Sequence, residues 1–193
     1  MTWQILDSNK TGFMIEAVKS AGLGSLFDPN TTEARMRRLP FFRTTRLYRL
    51  TNYATLPAFS LFYIGDGQNY TYLSGDFDGI NFYNTSDNLI LNEETVLPYL
   101  DFYLIFVRMD VGEINIIGDR DQYNILEEFP KETNVHYDED KKAFVIKIPL
   151  YFDGTLMEGT VEILQTGEVM ITDTKLSVQT LRNSIDYDST TDY

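Results

Sequence analysis

The sequence predicts an α+β fold, mainly antiparallel β with a few short helices and roughly eight to ten short strands. Three observations carry this. From residue 41 onward, Phe, Tyr, Ile, Val and Thr crowd into short runs separated by Gly, Asp and Asn. Phe144, Ile146, Ile148 and Leu150 alternate with Val145, Lys147 and Pro149. Val161 and Ile163, then Val169 and Ile171, repeat that alternation. The last two patterns predict a three-stranded antiparallel meander with one buried face.

In chain order, Met14, Ala17, Val18 and Ala21 recur at helical spacing, which predicts a helix over 11–22 capped by Thr11 and ended by Gly22 and Gly24. Thr32–Leu39 reads as one more helical turn before Pro40, making 1–40 a helical or irregular preface. Strands follow at 46–53 and 58–64. Gly65-Asp66-Gly67 predicts a tight hairpin, because Asp-Gly accepts the positive φ of a primed turn. The return strand is 69–73, and a turn at 75–79 leads to a strand at 80–83. Asn92-Glu93-Glu94 opens a helix that Pro98 limits to about one turn. A hairpin at 102–117, a short helix at 121–129 and the meander follow, with Pro149 expected at an edge or strand end. A closing helix over 176–181 and a disordered acidic tail over 186–193 complete the expectation. The chain thus reads as one domain, 1–185, with a strand-rich body from 41.

Composition excludes more than it proposes. Absence of cysteine removes disulfides, zinc–thiolate sites and cysteine nucleophiles. One histidine, His136, leaves at most one imidazole for a triad. It precedes a charged turn, Asp138-Glu139-Asp140-Lys141-Lys142, and reads as a surface or partly packed histidine. No serine stands in a G-x-S-x-G elbow, and no phosphate-loop pattern occurs. Gly22-Leu23-Gly24 and Gly65-Asp66-Gly67 lack the third glycine of a dinucleotide fingerprint. Asp76-Phe77-Asp78-Gly79 reaches its glycine two residues too early for a calcium loop, so its acids, like Asp66 and Asp87, read as turn residues. No cofactor or metal is implied. The opening residues carry no basic, apolar leader, and no apolar run is long enough to span a bilayer, which together read as a cytoplasmic protein.

The charge is −13, which disfavours nucleic acid and anionic membrane surfaces by long-range repulsion. Six of the nine arginines nevertheless lie within 35–49, with no acid among them. Two readings compete: neutralisation by the acidic remainder of the chain or of a second copy, or an anion or acidic-partner surface built on guanidinium forks. The chain also holds 13 Phe, 13 Tyr and one Trp. Tyr48 stands between Arg46 and Arg49, so Arg43, Arg46, Tyr48 and Arg49 are the candidate binding residues. The resulting expectation is a non-enzymatic binding or assembly module that uses an Arg/aromatic surface for a protein partner or for self-association. The alternative is a carboxylate- or cation-dependent hydrolase, with two acids drawn from the clusters at 76–78 or 127–128.

Overall fold

The computed structural model describes residues 2–20, 26–109, 114–116, 133–152 and 155–176. Among these residues, two antiparallel sheets and three short helices make a mainly-β α+β fold. The first sheet has strands in sequential order: β1 (Gln4–Ile5), β2 (Thr32–Arg38), β3 (Arg46–Asn52), β4 (Phe59–Gly65) and β5 (Tyr70–Tyr72). Helix α1 (Ser8–Ser20) links β1 to β2. Helices α2 (Asp78–Ser86) and α3 (Val96–Phe106) follow the sheet. The second sheet is ordered β10 (Val169–Leu176), β9 (Thr155–Leu164), β8 (Ala143–Phe152), β6 (Ile114–Ile116), with β7 (Asn134–Asp138) also paired to β8.

Helix α1 starts earlier than Thr11. The Asp7 carboxylate accepts the Lys10 N–H at 2.9 Å, satisfying a donor that the first turn leaves orphaned. Met14, Ile15 and Val18 then pack with Ala34, Tyr48, Leu50 and Tyr63 on one face of the first sheet. The expected helical turn at 32–39 is corrected to strand β2. Its residues are mostly good helix formers, but pairing with β3 from Thr32↔Asn52 to Arg38↔Arg46 outweighs that local preference. The preface therefore contains two strands of the same sheet as β3–β5.

The expected strand at 80–83 is corrected to α2. Ile80 and Tyr83 are buried while Asn81 and Phe82 between them are exposed, a helical spacing. The strand expected from Phe102 is corrected to α3, which buries Val96, Tyr99, Leu100, Phe102 and Tyr103. Pro98 does not end this helix. It sits in the first turn, where its missing N–H has no intrahelical acceptor to lose. The 110–112 turn, the 121–129 helix, residues 177–181 of the helix expected over 176–181 and the 186–193 tail lie outside the described residues, while Leu176 itself ends strand β10.

The Asp66-Gly67 turn and the β8–β9–β10 meander form as expected. Gly67 has φ +98°, and Asp66 Oδ1 accepts the Gln68 and Asn69 N–H groups at 2.8 Å each. Pro149 is buried within β8 rather than at its end. β7 pairs with β8 only as far as Lys147, and β6 begins at Leu150, so Pro149 occupies the break where neither ladder requires its missing donor. The larger core joins Phe144, Ile146, Ile148 and Leu150 of the second sheet to α2, α3, and Leu47 and Ile64 of the first. No helix among the described residues is long and apolar enough to cross a membrane.

Candidate functional site

The period of a strand decides where the arginines go. Side chains on β3 alternate, so Leu47 and Arg49 share one face while Arg46, Tyr48 and Leu50 share the other. The four candidate residues therefore do not form one surface. Arg43 is exposed in the loop before β3. Arg46 turns its Nη1 onto the carbonyls of Arg43 and Thr45, at 3.0 and 2.8 Å. Asp87, just past α2, fixes the same loop by accepting from Thr44 N–H, Thr45 N–H and Thr44 Oγ1. Burial by itself raises the Asp87 pKa, but these donors outweigh it and hold the carboxyl below its usual range. Tyr48 is only 5% exposed and meets Tyr70 edge to face at 5.0 Å in the α1-side core.

Arg49 stands apart on the opposite face, among residues that the four-residue candidate set omits. Register places Arg35 directly across from it on β2, with Arg37 two residues along on the same face. The guanidinium carbons of Arg37 and Arg49 both lie 5.3 Å from the centre of the Trp3 ring. Trp3 belongs to the β1 end of the sheet, yet its ring also comes within 6.4 Å of the Phe62 ring on β4. The indole therefore reaches across β2 and β3, and Phe62 continues the aromatic contact to Phe106 of α3 at 5.2 Å. Cation–π attraction of this kind contributes about 0.5–2 kcal/mol per pair, more as water is excluded.

Among the described residues the charge on this face is unbalanced. Glu33 is its carboxylate, and it is engaged by Arg35 Nε at 2.6 Å and Nη2 at 3.2 Å. The Arg35 hydrogen bond, aided by the charges of Arg35 and Arg49, holds the Glu33 carboxyl below its usual range despite the opposing effect of burial. Arg37 and Arg49 have no ion pair and no hydrogen bond among the described residues, and the Nε of each is buried without an acceptor. Of the six clustered arginines, only Arg35 is within ion-pair distance of a carboxylate among the described residues. Direct ion pairing within the described part of the molecule, one form of the first expected reading, is thus confined to that residue. Ile5, across from Arg35 and 65% exposed, and Tyr53, 58% exposed with its hydroxyl 3.5 Å from Glu33, extend the face with apolar surface.

The remaining candidates are quieter. Asp76 accepts from Ser74 and is exposed, as is Asp78 in the first turn of α2. His136 is exposed on β7, opposite Val145. No group of three or more acidic or histidine side chains able to hold a metal occurs among the described residues. Residues 127–128 lie outside them. Trp3, Arg35 and Arg37 escaped the sequence reading because a helical 32–39 scatters Arg35 and Arg37 over different faces, whereas a strand aligns them. The legible signal was the i, i+2 spacing of these arginines together with the chain's single tryptophan. Comparison with protein-family models, curated proteins and solved structures returns no match.

Proposed function

We propose that this chain is a non-enzymatic binding module whose Trp3–Arg37–Arg49 sheet face receives an anionic group from a partner. The observation that carries the reading is the pair of guanidinium groups held against one indole with no carboxylate partner among the described residues. Leaving charged donors partly desolvated and unmatched is costly, and a partner carboxylate or phosphate would remove that cost through charge-assisted, forked hydrogen bonds. The neighbouring aromatic and apolar side chains supply the desolvated ground in which such contacts strengthen. Of the acids named for the hydrolase alternative, Asp76 and Asp78 are exposed, one in a turn and one in the first turn of α2, which favours a solvated turn role for them.

The test is calorimetric titration with a short poly-glutamate peptide. The comparison is between the native protein, the R37Q/R49Q variant and a K19Q/K141Q variant of the same net charge. The reading expects R37Q/R49Q to weaken binding at least tenfold, about 1.4 kcal/mol, while K19Q/K141Q leaves it unchanged. Equal weakening in both variants would mean that only overall charge matters, and absence of binding by the native protein would end the proposal.

A further inference from the structure

We infer that the group received at this face is a single phosphate monoester borne by a peptide side chain. The inference rests on the anion-binding reading above and adds the class of the ligand. The Arg37 and Arg49 guanidinium carbons each lie 5.3 Å from the centre of the one Trp3 ring, so the two cations converge on one place. The Nε of each is buried, which leaves the terminal Nη groups as the donors for a ligand. Arg35 is set apart from them, because its Nε and Nη2 are turned onto Glu33 at 2.6 and 3.2 Å. The pair to be matched is therefore Arg37 and Arg49, two positive charges against one indole.

Two charges at one place select among anions. One carboxylate carries a single charge and leaves one guanidinium unmatched. Two separate carboxylates brought to the same ring would repel each other. A phosphate monoester carries about −1.5 to −2 on one centre, with three acceptor oxygens that forked Nη donors can share. A nucleic-acid phosphate carries one charge, and the strand's further phosphates would run over a molecule of net charge −13. Exposed apolar side chains argue for a peptide over free phosphate. Ile5, 65% exposed and across from Arg35, and Tyr53, 58% exposed and beside Glu33, offer contact to the residues flanking the phosphate.

Trp3 is the chain's single tryptophan, so its emission reads this face directly. The experiment titrates the full chain with an Ala-rich peptide carrying one phosphoserine between two Leu residues and with the same peptide bearing Glu in its place. Inorganic phosphate, an oligothymidine and the short poly-glutamate peptide are the further probes. The expected result is a saturable Trp3 emission change, with the phosphoserine peptide at least tenfold tighter than the Glu peptide or inorganic phosphate, lost in R37Q/R49Q. Circular dichroism of that variant establishes that it is folded, and the single variant R49Q, expected to weaken the phosphoserine peptide, serves if the double variant is not. Equal affinity for the phosphoserine and Glu peptides, or binding of poly-glutamate alone, lost in R37Q/R49Q, would overturn the phosphate assignment and leave the anion-binding face intact. Inorganic phosphate as tight as the phosphoserine peptide would overturn the peptide as its source, and tighter binding of oligothymidine would overturn the monoester. No response to any probe would overturn both this inference and the reading beneath it.

Discussion

The Tyr99 hydroxyl donates to the carbonyl of Gly167 at 2.7 Å, joining helix α3 to the turn between β9 and β10. Asn84 of α2 completes the junction. Its Nδ2 donates to the Tyr99 hydroxyl at 2.9 Å and to the Thr166 carbonyl at 3.0 Å. This buried polar contact thus fixes the second sheet to both helices inside an otherwise apolar core. Gly167 has φ +86°, and a Cβ there would collide with Asn84 Nδ2 and the Tyr99 hydroxyl. Tyr99→Phe is expected to cost about 1–3 kcal/mol, because the Gly167 carbonyl and one Asn84 proton lose their partner. Gly167→Ala is expected to cost more, combining backbone strain with the collision. Thermal unfolding checks both, at about 2–4 °C per kcal/mol for a chain of this size. A Tyr99→Phe melting point equal to that of the native protein would contradict the junction's role.

Tyr63 presents the opposite case. Its side chain is 1% exposed, and its hydroxyl is buried with no hydrogen-bond partner among the described residues. Burial pushes its pKa up to about 12. Tyr63→Phe is therefore expected to be neutral or to stabilise by up to about 1–2 kcal/mol, since a desolvated hydroxyl without a partner is a net cost. Denaturant unfolding measures it, and a loss of stability greater than about 1 kcal/mol would show that the hydroxyl has a partner after all.

Alkaline pH tests the same burial from another direction. Tyr63 and Tyr70 are both raised to about 12, with desolvation the largest cause in each. Tyrosine in the unfolded chain ionises near 10. The folded state thus holds protons that the unfolded state releases, so stability is intact below about pH 10 and is lost as pH rises toward 12. Denaturant midpoints followed across that interval are expected to fall, and to fall less steeply in Tyr63→Phe. Identical slopes for the two proteins would contradict the assignment to Tyr63.

Glu33 is the carboxylate that Arg35 engages on the arginine face. Its pKa is lowered, so its contribution to stability is full above the ordinary Glu value of about 4.3 and is lost as pH falls through the depressed folded value. The Arg35–Glu33 pair is partly exposed, so Glu33→Gln is expected to cost at most about 1 kcal/mol near neutral pH. The difference from the native protein is expected to vanish in acid. The same substitution frees Arg35, and the affinity for an acidic peptide is expected to rise several-fold. Unchanged or weaker peptide binding in Glu33→Gln would place the binding charge elsewhere.

How much of this was legible in the sequence depends on which interactions decide each element. The β8–β9–β10 meander was readable because Phe144, Ile146, Ile148 and Leu150 write its buried face directly at period two. The Asp66-Gly67 turn was readable because its backbone demands are local. β2 was not, since Glu33, Ala34, Arg35 and Met36 suit a helix and only pairing with a distant strand overrides them. α2 and α3 were obscured by Ile80, Tyr83, Phe102 and Tyr103, whose β preference loses to helical burial against the shared core. The arginine cluster was visible as composition. Its division between two sheet faces was not, because that division follows from β2 and β3 being neighbouring strands with Trp3 laid across them.

The most direct test of the arginine face is a nuclear magnetic resonance spectrum of the arginine Nε–Hε groups with and without the short poly-glutamate peptide. In the free protein, the Arg37 and Arg49 signals are expected upfield of the others, shifted by the Trp3 ring current, and Trp3→Leu removes that displacement. Adding peptide is expected to move Arg37 and Arg49 while Arg43 and Arg46, which lie off that face, stay in place. Peptide shifts centred on Arg43 and Arg46, or spread evenly over all the arginines, would contradict the account.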